Sequence, residues 1–342
     1  MKVRKLVWLT IALLLVVAMA AGCGAPPGDT IPSSSDSQAD SASAVSRDKT
    51  KTSDQSASDY DTTKFYSTVE LYQQQTGNII SAYNEAPELA EQVKNGTLPP
   101  VQERIGSEPM VIAPLESVGS YGGRIRTAAT SPVTGSAETW TMRTQPLFIV
   151  APSLQSISPN VAKGWEFNDD YTEFTIYLRE GMKWSDGTDF NADAFEFYYN
   201  AILKNNELTP KKPEIFISNN ELMGFTRVND YEIKYTFADS KPSVVSELGR
   251  NNRMYLSVPF APGHYLQRFH IDYNPDANAL AKESGYESWT QYFLFIYPDE
   301  VQARMEPGVP CIDPWMLTKI DEIGNKYFDR NPYYWKIDTE GN

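Results

Sequence analysis

The chain has 342 residues, with 44 acidic and 30 basic side chains for a formal charge of −14, and 12 % aromatic residues including 20 Tyr and 7 Trp. That acid excess argues against nucleic acid or anionic lipid surfaces as partners. With only Cys23, Cys311, His264 and His270, a disulfide framework or a zinc cluster of usual spacing is excluded.

Lys2, Arg4 and Lys5 precede an apolar run, Leu6 to Ala21, that is short for a membrane span and ends in small residues. This basic start and apolar run read as a signal segment over 1–22. Ala20-Ala21-Gly22 directly before Cys23 resembles the lipobox of bacterial lipoproteins. The resemblance implies that Cys23 is lipidated, becomes the new N-terminus and anchors the protein to a membrane. Loss of the three basic leader residues would bring the charge to about −17. Cys311 would then be a lone thiol, read as a small buried residue rather than a nucleophile.

Residues 23–62 are rich in Ser, Asp, Ala, Thr and Lys. They cannot bury enough apolar surface to offset ordering entropy, so they read as a disordered tether. Residues 63–119 form an N-terminal extension with short helices. Phe65, Val69 and Tyr72 have helical spacing, Leu89 to Val93 read as a second short helix closed by Asn95-Gly96, and Leu98 to Val101 and Glu108 to Leu115 read as extended.

Further on, Asn168-Asp169-Asp170 is turn chemistry, and Phe174, Ile176 and Leu178 alternate with Thr175, Tyr177 and Arg179 as in a half-buried strand. Ser185 to Thr188 form a tight turn. Asn191 offers an N-cap, and Ala194, Tyr198, Ala201 and Ile202 fall on one helical face. A hairpin follows, from Phe225–Val228 through Asn229-Asp230 to Tyr231, Ile233, Tyr235 and Phe237. No H-E-x-x-H, G-x-S-x-G or phosphate-cradling glycine loop is present. Asp186, Asp189, Asn191 and Asp193 only superficially imitate a calcium loop, lacking its ligand order and its Gly. No cofactor and no enzymatic activity are therefore expected.

The stretch from Pro159 to Leu203 resembles the signature of the extracytoplasmic solute-binding proteins, family 5, of peptide-type ABC importers. Trp165, Phe174, Leu178, Arg179, Gly181, Lys183, Trp184, Asp186, Gly187, Phe190, Ala192 and Asp193 carry the match, with Asp189 and Ala194 departing from it. Tyr121 to Ala129 resembles the family's first strand, Val258 to His270 its return segment, and Tyr327 to Trp335 its Arg-Asn-Pro-x-Tyr-Trp element. The resemblance implies an α/β fold of the periplasmic-binding-protein type II, extended by an extra subdomain. The family domain would cover 120–342, with first-lobe parts about 120–132 and 251–342 and a smaller subdomain about 133–250. It also implies that the third subdomain, forming the second lobe, is absent, so that the chain is the front part of such a protein. Expected partners are a peptide or oligosaccharide ligand, ABC permease and ATPase subunits, and the membrane through the lipid anchor, with a monomer when full length. Trp140, after the first strand, and Tyr255, before the return to the first lobe, are candidates for the ligand cleft; ordinary packing is the competing account of each. A surface hydrolase and a lipid-anchored sensor or scaffold are the alternatives from other classes.

Overall fold

The first and last described strands belong to one sheet. The computed structural model describes residues 64–128, 145–151, 154–249, 259–298 and 306–342, all within a single unit, Asp54–Asn342. In chain order the strands are β1 (Lys64–Tyr66), β2 (Met110–Ala113), β3 (Phe148–Val150), β4 (Ile157–Pro159), β5 (Ala162–Phe167) and β6 (Glu173–Leu178). They continue as β7 (Ile217–Ser218), β8 (Glu221–Leu222), β9 (Gly224–Asn229), β10 (Glu232–Thr236), β11 (Trp315–Ile320), β12 (Lys326–Arg330) and β13 (Lys336–Asp338). Sheet order is β1-β2-β13 in one sheet and β5-β6-β10-β9 in another, with β3-β4, β7-β8 and β11-β12 as two-stranded ribbons.

The four-stranded sheet is antiparallel throughout. Its entry turn is fixed by Asn168, whose Oδ1 accepts the Thr172 and Glu173 N–H groups at 3.0 and 2.9 Å. Phe174, Ile176 and Leu178 of β6 and Ile233 and Tyr235 of β10 are buried in one large cluster with Phe148, Trp184, Phe190, Phe195 and Trp335. Burial of each large apolar side chain contributes about 1.5–3 kcal/mol. The predicted hairpin is present as β9–β10, with a bulge at Glu232/Ile233. Half-burial does not describe β6, however. Thr175 and, just past the strand, Arg179 are also buried and Tyr177 is half-buried, so the second face is largely covered as well.

The helix Ala192–Phe197 starts where Asn191 Oδ1 accepts the Asp193 N–H at 2.8 Å. It then widens into a π-helical turn, Tyr198–Leu203, closed by Lys204 N–H donating to Tyr199 O. The sequence predicts one apolar face here; the structure has two. Ala194, Phe195 and Leu203 enter the large cluster, whereas Phe197, Ala201 and Ile202 enter a second one with Leu266, Trp289, Phe293 and Ile296. The extra residue per turn lets consecutive side chains serve both cores.

Three other expectations change. Phe65 lies in β1 rather than a helix, because its neighbours Lys64 and Tyr66 pair with Ala113 and Val111; the helix begins at Val69, capped by Thr68. Val101, read as the end of an extended stretch, instead starts a helical turn, Val101–Arg104. Residues 121–128 contain no strand.

Arg179, at the end of β6, joins separate parts of the chain. Its Nε donates to Asn160 O at 2.8 Å, and its Nη1 donates to Glu108 O at 3.1 Å and to Ser67 O. Gly106 packs so closely on this region that a Cβ would lie 2.5 Å from the Gly181 carbonyl carbon. Tyr66, Tyr72, Val111 and Ile337 form a small core under the β1-β2-β13 sheet.

Candidate functional site

The helix Ala192–Phe197 and the helix Gly263–Leu266 border an open groove of about 410 Å³. Trp184, Phe197 and Tyr273 supply its aromatic surface, and Asp193, Glu196 and His264 its charged and polar rim. The close approach needs Gly263, where a Cβ would sit 2.7 Å from the Phe197 ring. Ala261 N–H donates to Ala194 O at 3.0 Å and fixes the same contact.

At one end, His264 Nε2 lies 2.8 Å from Asp186 Oδ2, and the imidazole sits 6.1 Å from the Trp184 ring. Asp186 Oδ1 accepts the Thr188 N–H at 3.0 Å. Gly187 in this turn has φ +88°, and Tyr333 presses against it, leaving 2.9 Å from the Tyr333 Oη to any Cβ. Burial pushes the Asp186 carboxyl up, but the hydrogen bonds from His264 and Thr188 outweigh it, so it lies below its ordinary 3.8. A carboxyl lowered on folding adds stability that is present above its unfolded value and lost as pH falls through the folded one. Asp186→Asn is therefore expected to flatten the acid limb of stability below about pH 4. Both partners are partly exposed, so the effect should stay under about 1 kcal/mol. Thermal melts from acid to neutral pH, wild type against variant, measure it.

The remaining carboxylates of this region do not converge. Asp189 pairs with Lys183 at 2.6 Å, while Arg227 spans Asp193, Glu196 (3.3 Å) and Asp230 (2.6 Å). Among the described residues no group of three His, Cys, Asp or Glu side chains could hold a metal ion. Among the described residues the His264 imidazole pairs with Asp186, and no hydroxyl or thiol is aligned on it.

Of the sequence-predicted residues, Cys23, Trp140 and Tyr255 lie outside the described residues. Trp184 is 3 % exposed and T-shaped to Phe190 and Phe260. Trp165 is half-buried against Phe148 at 4.7 Å. Asp169 and Asp170 belong to the turn before β6, where Asp170 Oδ1 accepts the Thr172 hydroxyl at 2.6 Å. His270 is buried, with Nε2 2.9 Å from Ala201 O, and burial pushes its pKa down. Sequence reasoning missed the His264–Asp186 pair: neither residue type signals a partner so far along the chain.

Residues 156–341 match the family described as bacterial extracellular solute-binding proteins, family 5 Middle. The chain belongs to this family. The family-5 chain is 28 % identical over 290 residues to the periplasmic α-galactoside-binding protein of Rhizobium meliloti (strain 1021), covering 76 % of this chain and 37 % of that one. Among solved structures it resembles the oligopeptide-binding protein OppA, with a TM-score of 0.71 and 29 % identity, over 81 % of this chain and 42 % of that one. It also shares its fold with the periplasmic binding protein MelB from Agrobacterium fabrum C58, solved in complex with stachyose, with a TM-score of 0.59 and 24 % identity, over 82 % and 40 % of the two chains. The fold is thus the α/β fold of periplasmic binding proteins. This family-5 protein spans well under half the length of these relatives. Its signature turn, Trp184 to Phe190, is held in place by Tyr333 from the Arg-Asn-Pro-x-Tyr-Trp element, so two motifs far apart in the chain form one structural unit.

Proposed function

We propose that the protein serves as the substrate-binding component of an ABC importer. It captures peptides or similar solutes outside the cytoplasmic membrane and delivers them to a permease driven by ATPase subunits. The observation that carries this reading is the likeness to the oligopeptide-binding protein across 81 % of the chain. The groove's aromatic rings and polar rim are of the kind that holds a solute by burial and hydrogen bonding. A second reading, oligosaccharide capture, is favoured by the 290-residue similarity to the α-galactoside-binding protein. In either case the ligand lies in a cleft between lobes, with Trp140 and Tyr255 as our candidates to line it. The smaller subdomain corresponds to residues of about 133–250 and the first lobe to about 120–132 and 251–342.

Thermal-shift titration of the full-length protein with a panel of short peptides and with α-galactosides such as stachyose tests the function. Ligand at about a hundred times its Kd adds about 2.7 kcal/mol of stability. A saturable shift with one class identifies the solute; no shift with either class rejects both readings.

The anchoring reading rests on Cys23 and its leader. We propose that acylated Cys23 holds the protein at the outer face of the membrane and that residues 23–62 act as the tether. A single acyl chain binds a membrane only marginally, so more than one is needed. Cys23→Ala is expected to release the protein from the membrane fraction or to leave it unprocessed. An unmodified Cys23 in mass spectra of the mature N-terminus would refute the anchor.

A further inference from the structure

The groove beside the signature turn is one-sided in charge. Asp189, Asp193 and Glu196 line it, and no Lys or Arg does among the described residues. Two cations stand behind these carboxylates without balancing them. Lys183 pairs with Asp189 at 2.6 Å, whereas Arg227 alone serves Asp193, Glu196 and Asp230. Those three carboxylates share one guanidinium, so negative charge is in excess along this wall. Asp193 and Glu196 stand three residues apart on the Ala192–Phe197 helix, which puts them on one face with Cβ atoms about 5–6 Å apart.

The groove also has an aromatic corner. Phe197 and Tyr273 both line it, with ring centres 5.5 Å apart and planes inclined at 48°. Tyr273 is 46 % exposed, so its ring is open to a ligand. Burial pushes the Tyr273 hydroxyl up, and the charges of Asp272 and Glu196 push it further, so the acidic field reaches this ring.

An anion would be repelled by such a rim, and a neutral solute would leave the excess charge unanswered. An inorganic ion would leave the rings unused, and among the described residues no three His, Cys, Asp or Glu side chains could hold a metal. An organic cation meets both surfaces. Its ammonium groups suit the carboxylates, and a cation within about 6 Å of a ring centre is attracted to the ring face. Short alkylene chains separate the ammonium groups of a polyamine by a distance comparable to that between Asp193 and Glu196. The volume of about 410 Å³ is of the size that takes a small molecule.

We propose that this groove binds a linear polyamine, with its ammonium groups on Asp193 and Glu196 and its alkyl stems against Phe197 and Tyr273. The site rests on the groove alone and not on the transport reading, whose peptides and α-galactosides are tested separately.

Calorimetric titration of the full-length protein with spermidine at pH 7 tests it. An ionic strength of about 0.1 M screens exposed charges beyond about 10 Å, which suppresses diffuse attraction to an acidic protein. Wild type is expected to bind saturably at one site. Glu196→Gln and Asp193→Asn should each raise Kd about fivefold, the scale of one exposed ion pair. The two carboxylates are 45 and 68 % exposed, so both variants keep the fold. Tyr273→Leu should raise Kd about threefold through loss of the ring face. The carboxylate variants carry the test if Tyr273→Leu fails to fold. An equal concentration of Mg²⁺ should leave spermidine bound. Absence of saturable binding in wild type would overturn the site. So would one Kd shared by wild type and the carboxylate variants, or displacement of spermidine by Mg²⁺, since either would reduce the effect to bulk charge.

Discussion

Replacing Trp184 with Ala is expected to destabilise the protein by about 3–5 kcal/mol, the usual cost of truncating a buried Trp. The indole is packed edge-on to Phe190 at 5.2 Å and to Phe260 at 6.2 Å, so its removal opens a cavity that three segments would have to close. Those segments are the signature turn, the helix it leads into, and the chain entering the Gly263–Leu266 helix. Phe190 is itself fully buried and cannot move far without vacating its own contacts. Urea denaturation compares the two proteins directly. Unchanged stability combined with collapsed solute affinity would instead make Trp184 a ligand platform.

Arg179→Met is the second large effect. The side chain is of similar length, but it leaves the carbonyls of Ser67, Glu108 and Asn160 without their guanidinium donor. A fully buried carbonyl left unpaired, as at Asn160, costs about 1–3 kcal/mol and the partly buried ones less, set against relief from burying a charge. We expect a net loss, concentrated where β1 and β2 meet the four-stranded sheet. Amide exchange should accelerate at Tyr66 and Val111 more than at Ile233. Uniform acceleration, or none, would show that Arg179 does not hold this junction.

Local chemistry made much of the fold legible. The turn at Asn168–Asp170, the N-cap at Asn191 and the β9–β10 hairpin each depend on neighbours within a few residues, and each is where the sequence predicts it. Long-range consequences were not legible. Alternation along β6 distinguishes two faces but cannot say that both are covered, so Arg179 reads as solvent-facing until Asn160, Glu108 and Ser67 surround it. Phe65 fits a helical spacing with Val69 and Tyr72, and only pairing with β2 makes it a strand residue. The π-helical turn has no signature in composition; it follows from two cores competing for adjacent side chains. For the site, aromatic content and the family signature pointed to recognition rather than catalysis. The groove that joins Phe197 to Gly263 and Asp186 to His264 depends on tertiary contacts that spacing does not encode.

The sheet that joins β1, β2 and β13 sets an order of events during folding. β2 is its central strand, pairing antiparallel with β1 on one side and parallel with β13 on the other. A chain emerging from its N-terminus can form the β1–β2 ribbon early, but Lys336–Asp338 arrive only after everything between has been made. Closing so long a loop is entropically slow, and parallel pairing of distant segments is among the latest steps in a fold of high contact order. Until then one edge of β2 presents open backbone groups, and Val111, fully buried in the finished protein, lacks Ile337 as a partner. The nascent protein therefore carries an exposed strand edge until Lys336–Asp338 are made, a window in which a chaperone has something to hold.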